Sequence, residues 1–298
     1  MRQGFLKQGG IWLIEIIFQN KEDAEKLFDF YKDKKHLADI LLIEDKNIGK
    51  IRMDSFSNQS EKKLSETFFH FILNIKQMDW FRRIIREQYY YEDEDEQDQI
   101  LEIIQSVVDG QREELAAFIK ETDNKESLEK AIYDMFKNQV SFSFDSFVRF
   151  RLRPYMDQLE RYVEISIDEY KMEQEYQMFI QTLRDFLATR NPKLDHLHLL
   201  FEEGITFYDE QYYEIKRAEL VRMIDRKLLS NHPVYIDSVT IAPLLSIAPK
   251  EIHLYTNEPE QPLVRTIQNI FEERVVIRPI SNFYEQIRES PLKMEEKM

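Results

Sequence analysis

The chain has 298 residues, a length that allows a large buried core and corresponds to about two domains. Hydrophobic residues make up 43% of the chain and charged residues 33%, which is typical of a globular protein and excludes a disordered one. Cysteine is absent, which excludes disulfides, thiolate metal sites and a cysteine nucleophile, and favours a reducing compartment.

The net charge of −15 limits the classes of partner. Nucleic-acid affinity depends largely on Lys and Arg side chains that neutralise phosphates, so this balance argues against nucleic acid. The acidic run EDEDEQD at 92–98 is typical of a solvated loop or linker, with a docking site for a basic partner as the alternative.

The N-terminus resembles a secretion signal only in part. Arg2 and Lys7 precede an apolar run at 11–18, but Glu15 interrupts that run and no small-residue cleavage site follows it. No apolar run reaches the roughly 18–20 residues that a membrane-spanning helix needs. We therefore expect a cytoplasmic protein without membrane insertion.

Residues 1–58 predict a small β-α-β-β unit. The nearly continuous apolar run at 11–18 indicates a strand buried on both faces. Asn20 can cap the helix that follows, whose apolar residues recur at helical spacing. Residues 39–56 then form two apolar segments about a polar turn at 45–49, which is typical of a hairpin.

Residues 59–194 predict a helical region with an acidic loop at 92–98. Periodicity of 3.6 residues dominates there, apart from a strand-like alternation at 140–144. The predicted helices lie at about 60–91, 97–108, 111–121, 125–138 and 145–189. We expect a bend in the last helix near Pro154, because proline removes a backbone donor and clashes one turn back.

Residues 195–286 predict a C-terminal α/β unit, and residues 287–298 a frayed tail. Strands and helices follow the order ββααβαβ, which implies a mixed sheet covered by helices. The predicted strands lie at 195–201, 205–209, 251–256 and 275–280, and helices at 212–229 and 261–273. The predicted fold class is α+β, with a mostly helical middle, the small N-terminal β-α-β-β unit and this α/β unit.

The proline-containing stretch at 237–255 is predicted to build the core of this unit. Asp237 or Ser238 can cap a helix that ends at Pro249 and leads into a strand. Its dense apolar residues are predicted to be buried, and they are Ile241, Leu244, Leu245 and Ile247.

Three segments of the chain resemble one known family. They are FVRFRLRPYMDQLERYVEISIDEY at 147–170, EYQMFIQTLRDFLATRNP at 175–192 and YIDSVTIAPLLSIAPKEIHLYT at 235–256. These segments are similar to the YtxC-like family of sporulation proteins, over most of the chain from about residue 140 onward. The resemblance implies a role in endospore-forming Gram-positive bacteria and supplies no catalytic residues.

His196 and His198 share one face of a predicted strand, beside Asp195. This spacing suits two metal ligands, but a third would have to come from elsewhere in the chain. The alternative is that both histidines are partly exposed residues at a hairpin edge. We therefore expect no bound metal and no cofactor.

Arg151 differs from the two neighbouring arginines, Arg149 and Arg153, which surface ion pairs can explain. Arg149 and Arg153 lie one helical turn apart on a face that also carries acidic residues. Arg151 would point toward an apolar arc of the same helix, where a guanidinium needs a carboxylate or an anionic ligand. An internal salt bridge is favoured over a ligand or a partner anion.

The sequence favours a cytosolic, sporulation-associated protein that acts as a non-catalytic interaction or regulatory factor. It contains no P-loop, no H-E-x-x-H and no G-x-S-x-G, and we assign no catalytic residues. Its protein partner is of unknown identity, and a homo-oligomer remains open. The candidate ligand or partner residues are Arg151, Asp237, Lys250 and His253.

Two other functions remain open. One is an enzyme with an unfamiliar site in the C-terminal α/β unit, in which Asp237, Lys250 and His253 would be the polar groups. The other is a nucleic-acid-associated factor that uses the basic residues near Trp80, against which the net charge argues. Those basic residues are Arg82, Arg83 and Arg86.

Overall fold

The computed structural model describes residues 12–32, 39–45, 48–55, 58–119, 124–138, 140–225, 237 and 239–289. The chain divides into two units, Met1–Lys171 and Met172–Met298. The predicted α+β class is confirmed. The boundary between the units lies inside a long helix, whereas the sequence predicted boundaries after residues 58 and 194.

The first unit combines a sheet with most of the helices. Its elements are β1 (Trp12–Phe18), α1 (Lys21–Lys32), β2 (Asp39–Asp45), β3 (Ile48–Ser55), α2 (Asn58–Phe71), a π-turn (Ile72–Lys76), α3 (Gln77–Glu87), α4 (Glu94–Val108), α5 (Glu113–Ala116), α6 (Asn124–Lys137), β4 (Phe142–Ser143), α7 (Phe144–Arg151) and the start of α8 (Arg153–Ala188).

The first sheet has the strand order β2-β3-β1-β4. β1 runs antiparallel to β3 and parallel to β4, with Ile16 opposite Phe142. The N-terminal β-α-β-β segment is therefore completed by a strand that follows α6. Ile14, Ile16 and Phe18 of β1 are buried, while Glu15 on the other face pairs with Arg52 at 2.6 Å. The prediction that β1 is buried on both faces was therefore wrong.

Phe68 of α2 lies at the centre of the first core. Its ring centroid is 5.6 Å from that of Phe136 and 6.2 Å from that of Phe142, which joins α6 and β4 to α2. Such aromatic contacts add to the large apolar area that each ring buries. Sheet and helices thus share one hydrophobic core.

The predicted acidic loop at 92–98 lies instead mainly in the first turn of α4. Asp93 is the N-cap, and its side chain accepts from the Glu96 amide at 3.0 Å. Glu94, Asp95 and Glu96 follow at the positive end of the helix dipole, where carboxylates are stabilised. The charge block that favours a loop by self-repulsion therefore also favours a helix start.

The predicted long helix at 145–189 is interrupted at Leu152. α7 ends at Arg151 and α8 begins at Arg153, which places Pro154 in the first turn of α8. A proline is tolerated at that position, because the amides of the first helical turn have no intrahelical acceptor. The predicted bend near Pro154 is therefore a short break between two helices.

The second unit contains a second sheet and the end of α8. Its other elements are β5 (His196–Phe201), β6 (Ile205–Tyr208), α9 (Arg217–Met223), α10 (Ile241–Ile247), β7 (Glu251–Tyr255), α11 (Pro262–Phe271), a 3-10 turn (Glu272–Arg274), β8 (Val275–Arg278) and α12 (Ile280–Glu289). The strand order is β6-β5-β7-β8, with β6 antiparallel and β7 and β8 parallel to their neighbours. The predicted mixed sheet is confirmed.

The predicted core of α10 is confirmed. Its four apolar residues are 0–4% exposed, namely Ile241, Leu244, Leu245 and Ile247. Asp237 accepts from the Thr240 amide at 2.7 Å and so caps the turn before the helix. Ala248, with φ of 50°, ends the helix just before Pro249.

Two predictions near the C-terminus were wrong in extent. The helix predicted at 212–229 begins only at Arg217, because Glu214 bridges to Tyr208 and Lys216 is extended. Residues 226–236 lie outside the described residues. Residues 280–289 form α12, which the sequence did not predict and which extends beyond the expected start of fraying near 286.

Among the helices of the described residues, none combines the length and the apolar character that a membrane crossing requires.

Candidate functional site

A polar group lies on one face of the second sheet, at the amino ends of β5 and β7. Side chains alternate along a strand, so Leu197 and Ile252 point into the core and their neighbours point to the opposite face. The parallel register places His196 opposite Glu251 and His198 opposite His253. We call His196, His198, Glu251 and His253 the histidine face.

The Glu251 carboxylate lies between two imidazole rings of the histidine face. One oxygen is 3.5 Å from Nδ1 of His196, and the other is 3.3 Å from Nε2 of His253. One candidate ligand atom from each of these three residues lies within 4.8 Å of the other two. The His196 side chain is 51% exposed and that of His253 is 13% exposed, so the group opens to solvent at His196.

The imidazole rings form a stack with Tyr212. The centroid distances are 4.2 Å from Tyr212 to His198, 4.9 Å from His198 to His253 and 5.9 Å from His253 to His196. Nδ1 of His253 is buried and has no hydrogen-bond partner among the residues that the structure describes. A buried polar atom without a partner costs about 1–3 kcal/mol, which makes this nitrogen the unsatisfied point of the stack.

Burial lowers the pKa of His198 and of His253, the two less exposed histidines of the histidine face. Burial, assisted by His253, His196 and Arg278, lowers the pKa of His198 to about 4. Burial also lowers the pKa of His253, although Glu251 opposes this shift. A neutral imidazole has a lone pair on one nitrogen, which is the form that accepts a proton or binds a metal.

A hydrogen-bond network orients His198. The hydroxyls of Tyr255 and Tyr212 both donate to Oε1 of Gln286 in α12, at 2.7 Å for Tyr255. The Tyr255 oxygen is therefore left to accept from Nδ1 of His198, 3.1 Å away. This arrangement places the lone pair of the neutral His198 ring on Nε2.

Two contacts fix the strand ends that carry the histidine face. Oε1 of Glu210 accepts from the amide of Asp195 at 2.8 Å, just before β5 begins. Lys250, just before β7, forms a 2.7 Å ion pair with Asp195. The starts of both strands are thereby tied together.

The candidate residues named from sequence do not form one cluster. His253 belongs to the histidine face, whereas exposed Lys250 pairs with Asp195, and Asp237 caps the turn before α10. Arg151 lies in the first unit and is exposed, so the expected apolar surroundings are not found. The reason is that α7 ends at Arg151, whereas its expected direction assumed a helix that continues.

The aromatic ring of the basic group near Trp80 is buried. Trp80 is only 3% exposed, so its ring is not available to stack on a base. Arg82 forms a 2.8 Å ion pair with Asp98, and Arg86 lies 3.6 Å from Glu87. Acidic neighbours thus offset part of the positive charge.

Sequence reasoning missed Glu251. The strand-face pairing of His196 with His198 is confirmed by their common contacts with His253. Glu251 and His253 have the same two-residue spacing in the next predicted strand. This repeated spacing could have indicated Glu251 if the two strands had been known to pair in parallel. The sequence does not reveal the register of that pairing.

The comparisons with known proteins place the chain in a family. A family model described as the YtxC-like family matches residues 62–276. The chain belongs to the YtxC-like family. A family relative from Bacillus subtilis (strain 168), described as uncharacterized protein YtxC, is 35% identical over 286 residues, which covers 95% of this chain and 100% of the relative. No solved structure matches the chain. The resemblance noted from the sequence is therefore confirmed, and the match to the YtxC-like family includes the histidine face.

Proposed function

We propose that the protein is a non-catalytic interaction factor that acts in the cytosol of endospore-forming bacteria during spore formation. Membership of the YtxC-like family supports the cellular setting, since the resemblance implies a sporulation role. The absence of cysteine supports a reducing compartment. The mode of action rests on a surface of α8.

The observation that carries the proposal is a fully exposed stretch in the middle of α8. Every residue of the second unit from 172 to 178 is exposed, which is almost two helical turns. The same helix becomes buried at Ile180. We call residues 172–178 the exposed α8 segment.

The exposed α8 segment carries side chains suited to protein contacts. Met172 and Met178 are each 62% exposed, and Tyr176 is 36% exposed. Methionine is flexible and polarizable, and it is over-used on surfaces that bind other proteins. Tyrosine adds an apolar ring with a polar end, and is enriched at interfaces.

The charge of the segment indicates the partner's chemistry. Glu173 and Glu175 make it acidic, and the whole chain carries a net charge of −15. Complementary potentials steer association and suppress wrong partners. The partner is therefore a protein that presents apolar side chains together with Lys or Arg.

Deletion and crosslinking test this function together. Deleting the gene in a spore-forming host is expected to reduce heat-resistant spores while vegetative growth stays near normal. A photocrosslinking residue at Gln177 is expected to capture one discrete partner in sporulating cells, and the same residue at exposed Glu102 is expected to capture none. Normal spore numbers after deletion would contradict the proposed function, as would equal capture at both positions.

A further inference from the structure

We propose that His196, Glu251 and His253 bind one divalent transition-metal ion of the zinc class and leave one coordination position open. The expectation of no metal rested on two histidines of a single strand. The structure adds a carboxylate and a third imidazole from the neighbouring strand. This site is independent of the interaction function proposed for α8.

The distances between the ligand atoms suit a tetrahedral ion. With metal–ligand bonds of about 2.0–2.1 Å, ligand atoms at the corners of a tetrahedron lie about 3.3 Å apart. Oε1 of Glu251 lies 3.3 Å from Nε2 of His253, and the other carboxylate oxygen, Oε2, lies 3.5 Å from Nδ1 of His196. With one atom taken from each residue the separations reach at most 4.8 Å, so binding a single ion requires the carboxylate or the exposed His196 ring to turn.

The surroundings also favour a bound cation. Among the described residues, the Glu251 carboxylate has only the imidazoles of His196 and His253 within ion-pair distance. Lys250, the nearest lysine in sequence, is engaged by Asp195 at 2.7 Å.

The ligand set selects the class of metal. Two imidazole nitrogens and one carboxylate oxygen suit Zn²⁺, Co²⁺ or Ni²⁺, whereas Mg²⁺ and Ca²⁺ prefer oxygen ligands only. Three protein ligands leave a fourth tetrahedral position for water or for a donor from a bound molecule. His196, at the solvent side, gives the ion a path into the site.

Titration of the purified full-length protein, without a histidine tag and stripped with a chelator, tests the site. Isothermal calorimetry with ZnCl₂ is expected to show one equivalent of bound Zn²⁺, and MgCl₂ is expected to give no saturable heat. The variants His196→Ala and Glu251→Gln are expected to bind Zn²⁺ at least about 10-fold more weakly, the lower limit that loss of even an outer ligand contact produces.

A matched control separates this site from adventitious histidine binding. His70 is an exposed histidine of α2 in the first unit, and His70→Ala is expected to bind Zn²⁺ as the parent does. His196 is exposed and Glu251→Gln keeps the side-chain shape, so both variants are expected to fold, which circular dichroism checks. No saturable Zn²⁺ binding by the parent, or equal affinity in folded Glu251→Gln protein, would overturn the proposal.

Discussion

Lys76 and Asp23 form a buried ion pair that joins the π-turn to α1. The Lys76 ammonium lies 2.7 Å from Oδ1 of Asp23, and only 6% of the lysine side chain is exposed. Asp79, 3.2 Å away, provides a second carboxylate. The π-turn places this lysine on the buried side of the helix that runs from α2 into α3.

Removing Asp23 is expected to destabilise the first unit. Asp23→Ala removes the closer of two carboxylates from a buried ammonium, and because Asp79 remains, the cost is expected to be at most about 3 kcal/mol. The double variant Asp23→Leu with Lys76→Met is expected to cost less than Asp23→Ala alone, because it also removes the buried ammonium that has lost a partner. Urea denaturation measures both, and a double variant that is less stable than Asp23→Ala would contradict this account.

Asp79 is expected to contribute stability that is lost in acid. Burial raises its pKa, but Lys26 at 2.9 Å and Lys76 at 3.2 Å outweigh burial, and the net pKa is lowered. Its folded pKa is therefore below the unfolded value of about 3.9. The contribution is present above that value and is lost as the pH falls through the folded pKa.

The variant Asp79→Asn tests this pH dependence. Urea midpoints are compared between variant and parent at neutral pH and at several values below pH 5. The difference in unfolding free energy is expected to shrink as the pH falls, since the protonated Asp79 resembles asparagine. A constant difference across the whole series would show that the carboxylate charge does not contribute.

Leu245 is expected to be a principal core residue of the second unit. It is 0% exposed, and truncation of such a leucine costs about 2–5 kcal/mol through lost burial and a residual cavity. Val239, just before α10 and 46% exposed, offers a control in Val239→Ala. Thermal melting is the measurement, and a Leu245→Ala protein that melts with the control would contradict the assigned packing.

Gly49 is expected to tolerate no side chain. A Cβ at this position of β3 would lie well inside the van der Waals distance of the Ala24 side chain in α1. Gly49→Ala is therefore expected to cost about 1–3 kcal/mol, the typical cost of overpacking. Gly204 has open space around it, so Gly204→Ala serves as control in the same denaturation assay. Similar effects of the two substitutions would contradict the close approach of β3 and α1.

Local patterns in the sequence predicted most of the elements. Periodicity predicted the helical middle, and the dense apolar residues of α10 predicted the second core. The pairing of β1 with β4 was not predictable, because β4 follows β1 by more than a hundred residues. The two-residue strand β4 carries too short a pattern to reveal which strand it joins.

Only part of the candidate site could be predicted from the sequence, because the rest depends on the pairing of distant strands. His196 and His198 lie on one strand, and alternation alone placed them on a common face. Glu251 joins them through the register of β5 with β7, which depends on how the whole sheet packs against α10 and α11. Arg151 was misplaced because one residue, Leu152, interrupts the helical phase.

We propose that the protein acts in spore formation through the exposed α8 segment. The most direct measurement counts heat-resistant spores after a deletion strain is complemented with Met172→Glu/Met178→Glu or with the control Gln177→Glu, at matched protein levels. All three residues are exposed, so both proteins are expected to fold. Restored spore numbers are expected with the control and not with the double variant. Full restoration by the double variant would contradict it.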